Sequence, residues 1–191
     1  MIFDSRPCEL GEGPLWHPVR EQLFWFDILN RTLHSQTRSW SFGQIVSAAG
    51  WIGQDELLIA SEIGLFRFDL IREIREPVAA AGDPATRSND GRADRQGGFW
   101  FGTMGKKAEA GAGAIWRWHR GELRQLFPGI TIPNAICFAP DGRAAHFADT
   151  AQGKVMKVAL DAQGWPSGTP TVWLDLTDEG LNPDGAVIDA E

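Results

Sequence analysis

Four strand-like segments recur along the chain, and this recurrence restricts the possible folds more than any other feature. Residues 21–28 (EQLFWFDI), 55–63 (DELLIASEI), 97–104 (GGFWFGTM) and 142–150 (GRAAHFADT) each start at a polar or glycine turn and run through an apolar stretch. A second strand candidate follows each of them: RTLHSQT, LFRFDL, GAIWRW and KVMKVAL. Phe24, Leu58, Trp100 and Phe147 hold matching places, spaced by 34, 42 and 47 residues. Units of roughly 40–50 residues with four short strands each are the sequence signature of propeller blades. Helical periodicity is weak throughout. Residues 70–81, with Pro77 and an alanine run, predict a loop and a short strand rather than a helix.

Composition supports an all-β reading. The 191 residues include 9 Trp, 11 Phe and 22 Gly but no Tyr, which suits aromatic strands separated by glycine turns. The net charge of −7 and the lack of any basic stripe beyond Lys106-Lys107 argue against a nucleic-acid partner. No apolar run approaches the ~20 residues of a membrane-spanning helix. The N-terminal MIFDSRPCEL has no secretory pattern, and Cys8 and Cys137 make no disulfide framework. Two buried or partly buried thiols and a cytoplasmic address are therefore expected, with no specific protein partner implied.

Residues 183–191, PDGAVIDAE, resemble the first strand of a fifth unit. A propeller closes by bringing its last blade against its first, so the expectation is a single incomplete propeller domain over 1–191. Closure with four blades is the alternative.

Several familiar catalytic motifs are missing: GxSxG, HExxH, a phosphate-binding GxxxxGK[ST] and CxxC. His17, His34, His119 and His146 lack metal-ligand spacing, so structural roles are expected for them rather than a histidine-type zinc site. What remains is a set of oxygen donors in glycine-rich or proline-rich segments: Glu12, Asn89, Asp90, Asn134, Asp141, Asp149 and Asp184. Such donors suit a hard or borderline divalent cation such as calcium, magnesium or manganese. Asp-Gly and Asn-Asp-Gly are also common tight-turn sequences, and local reading makes Asp90, Asp141 and Asp184 turn residues. Glu12, between two glycines before a strand, is placed to project toward a central channel, and Asn134, between Pro133 and an apolar run, is expected near a strand start. A buried Asn needs partners at both ends of its amide, and a metal or ligand is one way to supply them. Local spacing leaves both readings open.

Five motifs in order resemble one family. LGEGPLWHP…LFWFDI, RSNDGRADRQGGFWFGTMG, GAIWRW, IPNAICFAPDGRAAHFADT and NPDGAVIDAE are similar to the group of senescence marker protein (regucalcin), gluconolactonase and luciferin-regenerating enzyme. The resemblance runs from about residue 8 to 191 and implies an all-β fold of the six-bladed β-propeller family. About four blades plus the first strand of a fifth would be present. It further implies one divalent metal ion (calcium, zinc, manganese or magnesium) held by Glu12, Asn134 and Asp184. Arg87 and Asn89 would contact substrate, and Asp184 would also be the general base. The implied activity is metal-dependent hydrolysis of a small-molecule sugar lactone. A non-catalytic metal- or ligand-binding propeller, or an esterase or phosphotriesterase on the same site, is the alternative. Where some members carry a substrate-touching glutamate three residues after GTM, this chain has Lys107, with Glu109 two places on.

Overall fold

Apolar residues on both faces of the repeated strands require each small sheet to be covered on two sides, and stacking of sheets around a channel meets that requirement. The computed structural model describes residues 2–189 and contains four antiparallel four-stranded sheets. The first holds β1 (Gly11–His17), β2 (Gln22–Asp27), β3 (Thr32–Ser35) and β4 (Ser39–Ser41). The second holds β5 (Val46–Trp51), β6 (Glu56–Ser61), β7 (Gly64–Asp69) and β8 (Arg75–Ala80). The third holds β9 (Thr86–Ala93), β10 (Phe99–Gly105), β11 (Gly113–His119) and β12 (Glu122–Ile130). The fourth holds β13 (Pro133–Phe138), β14 (Ala144–Asp149), β15 (Lys154–Ala159) and β16 (Thr171–Asp175). Strands pair in sequence order within each sheet, so each is one blade. The repeats seen in the sequence are the second and third strands of the blades. The loop and short strand expected at 70–81 are the turn before β8 and β8 itself.

Side-chain alternation with a period of two builds the core between blades. Phe24 and Phe26 of β2 pack against Leu57 and Ile59 of β6, joining blades one and two. The neighbouring residues Leu58 and Ala60 face the other way and meet Phe99 and Phe101 of β10. Trp100, between those two phenylalanines, points onward to Ile136, Ala145 and Phe147 of blade four. All of these side chains are buried.

A second repeat is polar. Asp27 ends β2 and accepts the backbone amides of Glu9 (3.0 Å) and Leu10 (3.2 Å), fastening the segment that leads into β1. Asp149 ends β14 and accepts those of Thr131 (2.9 Å) and Ile132 (3.0 Å), which lead into β13.

Residues 181–189 belong to no sheet. In each of the four blades the first strand is hydrogen-bonded only to its own second strand, so a segment without that partner forms no ladder. It is nevertheless placed: Thr150 Oγ1 donates to Pro183 O (2.7 Å), and Arg92 Nη2 donates to Ala186 O (3.2 Å). Ala190 and Glu191 lie outside the described residues. Among the described residues, no helix is long and apolar enough to cross a membrane.

Candidate metal and substrate site

The inner strands β1, β5, β9 and β13 stand side by side, and each carries a register irregularity where its side chains meet the channel. A β-bulge places two residues opposite one and re-aims a side chain that would otherwise alternate into the core. Glu12 lies at the bulge of β1, Asn89 and Asp90 at that of β9, and Asn134 at that of β13. Gly13 has φ +56° there, and a Cβ at Gly13 would lie 2.3 Å from Ser47 O.

Glu12, Asp90 and Asp184 line one cavity of about 690 Å³, together with Arg92 and Trp51. Burial raises the pKa of the Glu12 carboxyl above its ordinary value, and the charges of Asp184 and Asp90 push it further the same way. Asp90 is raised too, chiefly by burial; the amides of Ile136 and Gly91 work against the shift, while Asp184 adds to it. Burial lowers Arg87, and Glu12 partly offsets this. Three acidic groups thus line one recess, opposed by Arg92 in its lining and by Arg87 near Glu12.

A hydrogen-bonded chain borders the carboxylates. Arg87 Nη1 donates to Asn89 Oδ1 (2.8 Å), and Asn89 Nδ2 donates to Asn134 Oδ1 (3.1 Å) and to Pro133 O (3.0 Å). Asn134 Nδ2 donates to Thr150 Oγ1 (2.8 Å), the same hydroxyl that reaches Pro183, next to Asp184. Both ends of the buried Asn134 amide are therefore occupied, and Oδ1 keeps a lone pair beyond the bond from Asn89. The all-oxygen donor set suits a hard divalent cation, and its surplus of negative charge is what such an ion neutralises.

Glu12 and Asp184 line the cavity, whereas Arg87, Asn89 and Asn134 do not; these three form a separate hydrogen-bonded chain, linked through Thr150 to Pro183 beside Asp184. Asp141 occupies the turn expected of it, with its Oδ1 accepting Arg143 N at 2.9 Å. Asp90 departs from the local expectation of a tight turn. It lies within β9, and its Oδ2 accepts Ile136 N (2.8 Å) across the gap to β13, so the bulge rather than a reversal accounts for its place. Lys107 and Glu109 are exposed and bond to each other, with Lys107 N donating to Glu109 Oε2 (3.0 Å). Asp90 as a cavity carboxylate and Thr150 as the hydroxyl under Asn134 were not singled out from sequence for those roles. The Asn-Asp-Gly string offered a signal for Asp90, but the threonine offered none.

The chain is similar to known proteins over nearly its whole length. Residues 10–191 match the family described as SMP-30/Gluconolactonase/LRE-like region. A Rhizobium meliloti (strain 1021) protein named "Putative sugar lactone lactonase" is 40% identical over 195 residues, covering 96% of this chain and 65% of the relative. The 6-deoxy-6-sulfogluconolactonase of Pseudomonas putida is 31% identical, covering 97% of this chain and 67% of the relative. The crystal structure of a calcium-binding protein, regucalcin, from Agrobacterium tumefaciens superposes with a TM-score of 0.95 at 41% identity, over 98% of this chain and 67% of that one. The chain therefore spans about two thirds of the length of the relatives it matches.

Proposed function

The chain belongs to the SMP-30/gluconolactonase/LRE-like family, and on that premise we propose that its cavity serves metal-dependent hydrolysis of a sugar lactone. The observation that carries the reading is the convergence of Glu12, Asp90 and Asp184 in one recess, beside the Arg87–Asn89–Asn134 chain. Glu12, Asn134 and Asp184 would hold one divalent ion, and calcium is the first to test because the Agrobacterium relative is described as calcium-binding. When bound, the ion supplies Lewis acidity toward the lactone carbonyl oxygen.

The remaining work falls to side chains. Asp184, exposed to the cavity, takes a proton from the attacking water as its oxygen bonds to the carbonyl carbon. The ring C–O bond then breaks, and the proton passes to the departing alkoxide, leaving a hydroxy acid. Arg87 directs its remaining guanidinium donors at the ring oxygens. Asn89, whose two amide hydrogens go to Pro133 O and Asn134 Oδ1, offers the substrate the free lone pair of its Oδ1 as an acceptor for a ring hydroxyl, so that together they restrict the substrate to reactive orientations. The free thiols Cys8 and Cys137 support work in a reducing compartment such as the cytoplasm.

Fold alone does not establish turnover, so a ligand-binding propeller and an esterase or phosphotriesterase remain the competing readings. A proton-release assay separates them with aldonolactones, an aryl ester and a phosphotriester, each with and without added metal. Metal-dependent acid release from lactones alone supports the proposal. Absence of release from every substrate by a metal-loaded protein overturns it.

A further inference from the structure

On the face of blade one turned away from blade two, Cys8, Asp27 and His34 each place one donor atom within 4.8 Å of the others. The donors are a thiol, a carboxylate oxygen and an imidazole nitrogen, quite unlike the all-oxygen recess. Asp27 is 2% exposed, and Cys8 and His34 are half-buried. We propose that these three residues form a second metal site, selective for a thiophilic divalent cation of the zinc class, which fastens the N-terminal segment to blade one.

Blade four supplies an internal control. Asp149 repeats the amide bonds of Asp27, so that aspartate by itself is a structural feature of the blade. Ile130 stands two residues before Ile132, as Cys8 stands two before Leu10. Met156 pairs with Phe147, as His34 pairs with Trp25. Around Asp149 the two flanking positions are thus apolar, Ile130 at the end of β12 and Met156 of β15, and both join the core between blades three and four, whereas around Asp27 they are a thiol and an imidazole. A buried carboxylate flanked by these two donors is a ligand set that packing does not require.

The geometry is near that of a three-residue site with a fourth position open to water. Donor atoms of a tetrahedral zinc site are separated by roughly 3.5 Å, given metal–donor distances of about 2.0–2.3 Å. The closing movement is short, and it falls on Cys8 in a coil and His34 on the four-residue β3. His34 Nδ1 bonds to Ser39 Oγ (2.7 Å), which leaves the other ring nitrogen to bind. Both Asp27 oxygens already accept two bonds each, from Glu9, Leu10 and Asn30, and the exposed Asn30 side chain (Nδ2 to Oδ2, 2.8 Å) is the partner easiest to displace. Arg6 opposes a cation here, but Asp4 holds its guanidinium by bonds of 2.9 and 2.7 Å and offsets the charge. Binding releases the Cys8 thiol proton to solvent.

Cobalt(II) is the probe. With calcium present to fill the oxygen-donor recess, the full chain should bind one equivalent of cobalt with a sulfur-to-cobalt charge-transfer band and the intense visible bands of tetrahedral coordination, displaced by zinc and not by further calcium. Cys8→Ser and His34→Gln should each weaken this binding at least about 100-fold. Asn30→Ser should tighten it several-fold in a chain that keeps all three ligands. Cobalt bound without the sulfur band, or a band that calcium displaces or that survives Cys8→Ser, overturns the proposal. The wild-type spectrum and Asn30→Ser keep the test decisive even if the cysteine variant misfolds.

Discussion

Glu12 and Asn134 occupy the same position in two different blades. Each is the second residue of an inner strand, sits at the bulge, and precedes a residue in left-handed conformation: Gly13 with φ +56° and Ala135 with φ +55°. The two ligand positions assigned by the resemblance are therefore one structural position used twice. The residue after each differs in tolerance. Gly13→Ala would drive a Cβ to within 2.3 Å of Ser47 O and is expected to cost about 3 kcal/mol in denaturant unfolding. Ala135→Gly relieves left-handed strain but removes a buried methyl, so its effect should stay within about 1 kcal/mol.

Thr150→Val removes both the acceptor that fixes the Asn134 amide and the donor that holds Pro183 O beside Asp184, while every proposed ligand residue stays unsubstituted. Loss of an orienting partner of this kind lowers metal affinity by about 10-fold or more. Calorimetric titration with calcium and zinc measures it.

Glu12 links stability to pH and to metal. Its folded pKa lies above the ordinary 4.5, so the metal-free protein gains stability below that pH and loses it as pH rises through the shifted value. Glu12→Gln removes a half-buried charge facing Asp184 and Asp90. The variant should melt roughly 2 °C higher than wild type without metal at neutral pH, with a flatter pH profile, and should lose most of the rise produced by calcium. Thermal unfolding from pH 4 to pH 8, with chelator and with calcium, reads both effects.

Asp184→Asn in a metal-loaded protein should lower lactone turnover by about 100-fold or more, the range for loss of a general base. Metal content must be measured alongside, because Asp184 is also a proposed ligand. Near-normal turnover with metal bound removes the base assignment.

Arg117 carries a structural prediction away from the cavity. Its guanidinium and the Asp94 carboxylate are both fully buried, with Nε donating to Oδ2 at 2.7 Å and Nη2 to Gln163 O at 2.8 Å. The charge also lies 4.2 Å over the Trp165 ring, so it clasps blade three to the loop leaving β15. Arg117→Met strands a buried carboxylate and should cost about 3–5 kcal/mol in a urea titration.

Much of the architecture was readable because its causes are local. Alternating apolar residues at Phe24–Phe26, Leu57–Ala60 and Phe99–Phe101 dictate strands with two buried faces, and the glycine-rich turns between them dictate short antiparallel sheets. The motif positions of Glu12, Asn134 and Asp184 were legible through resemblance, and Glu12 and Asp184 share the cavity with Asp90. Asp90 in its bridging role, Thr150 beneath Asn134, and the approach of Cys8, Asp27 and His34 were settled by the tertiary structure. Each of these depends on bulges, strand register and bonds between segments distant in sequence, whose energies exist only once the blades are stacked. A tight-turn string and a lone cysteine look the same in either setting, so the sequence by itself determined the blades, and the packing of those blades decided which side chains meet.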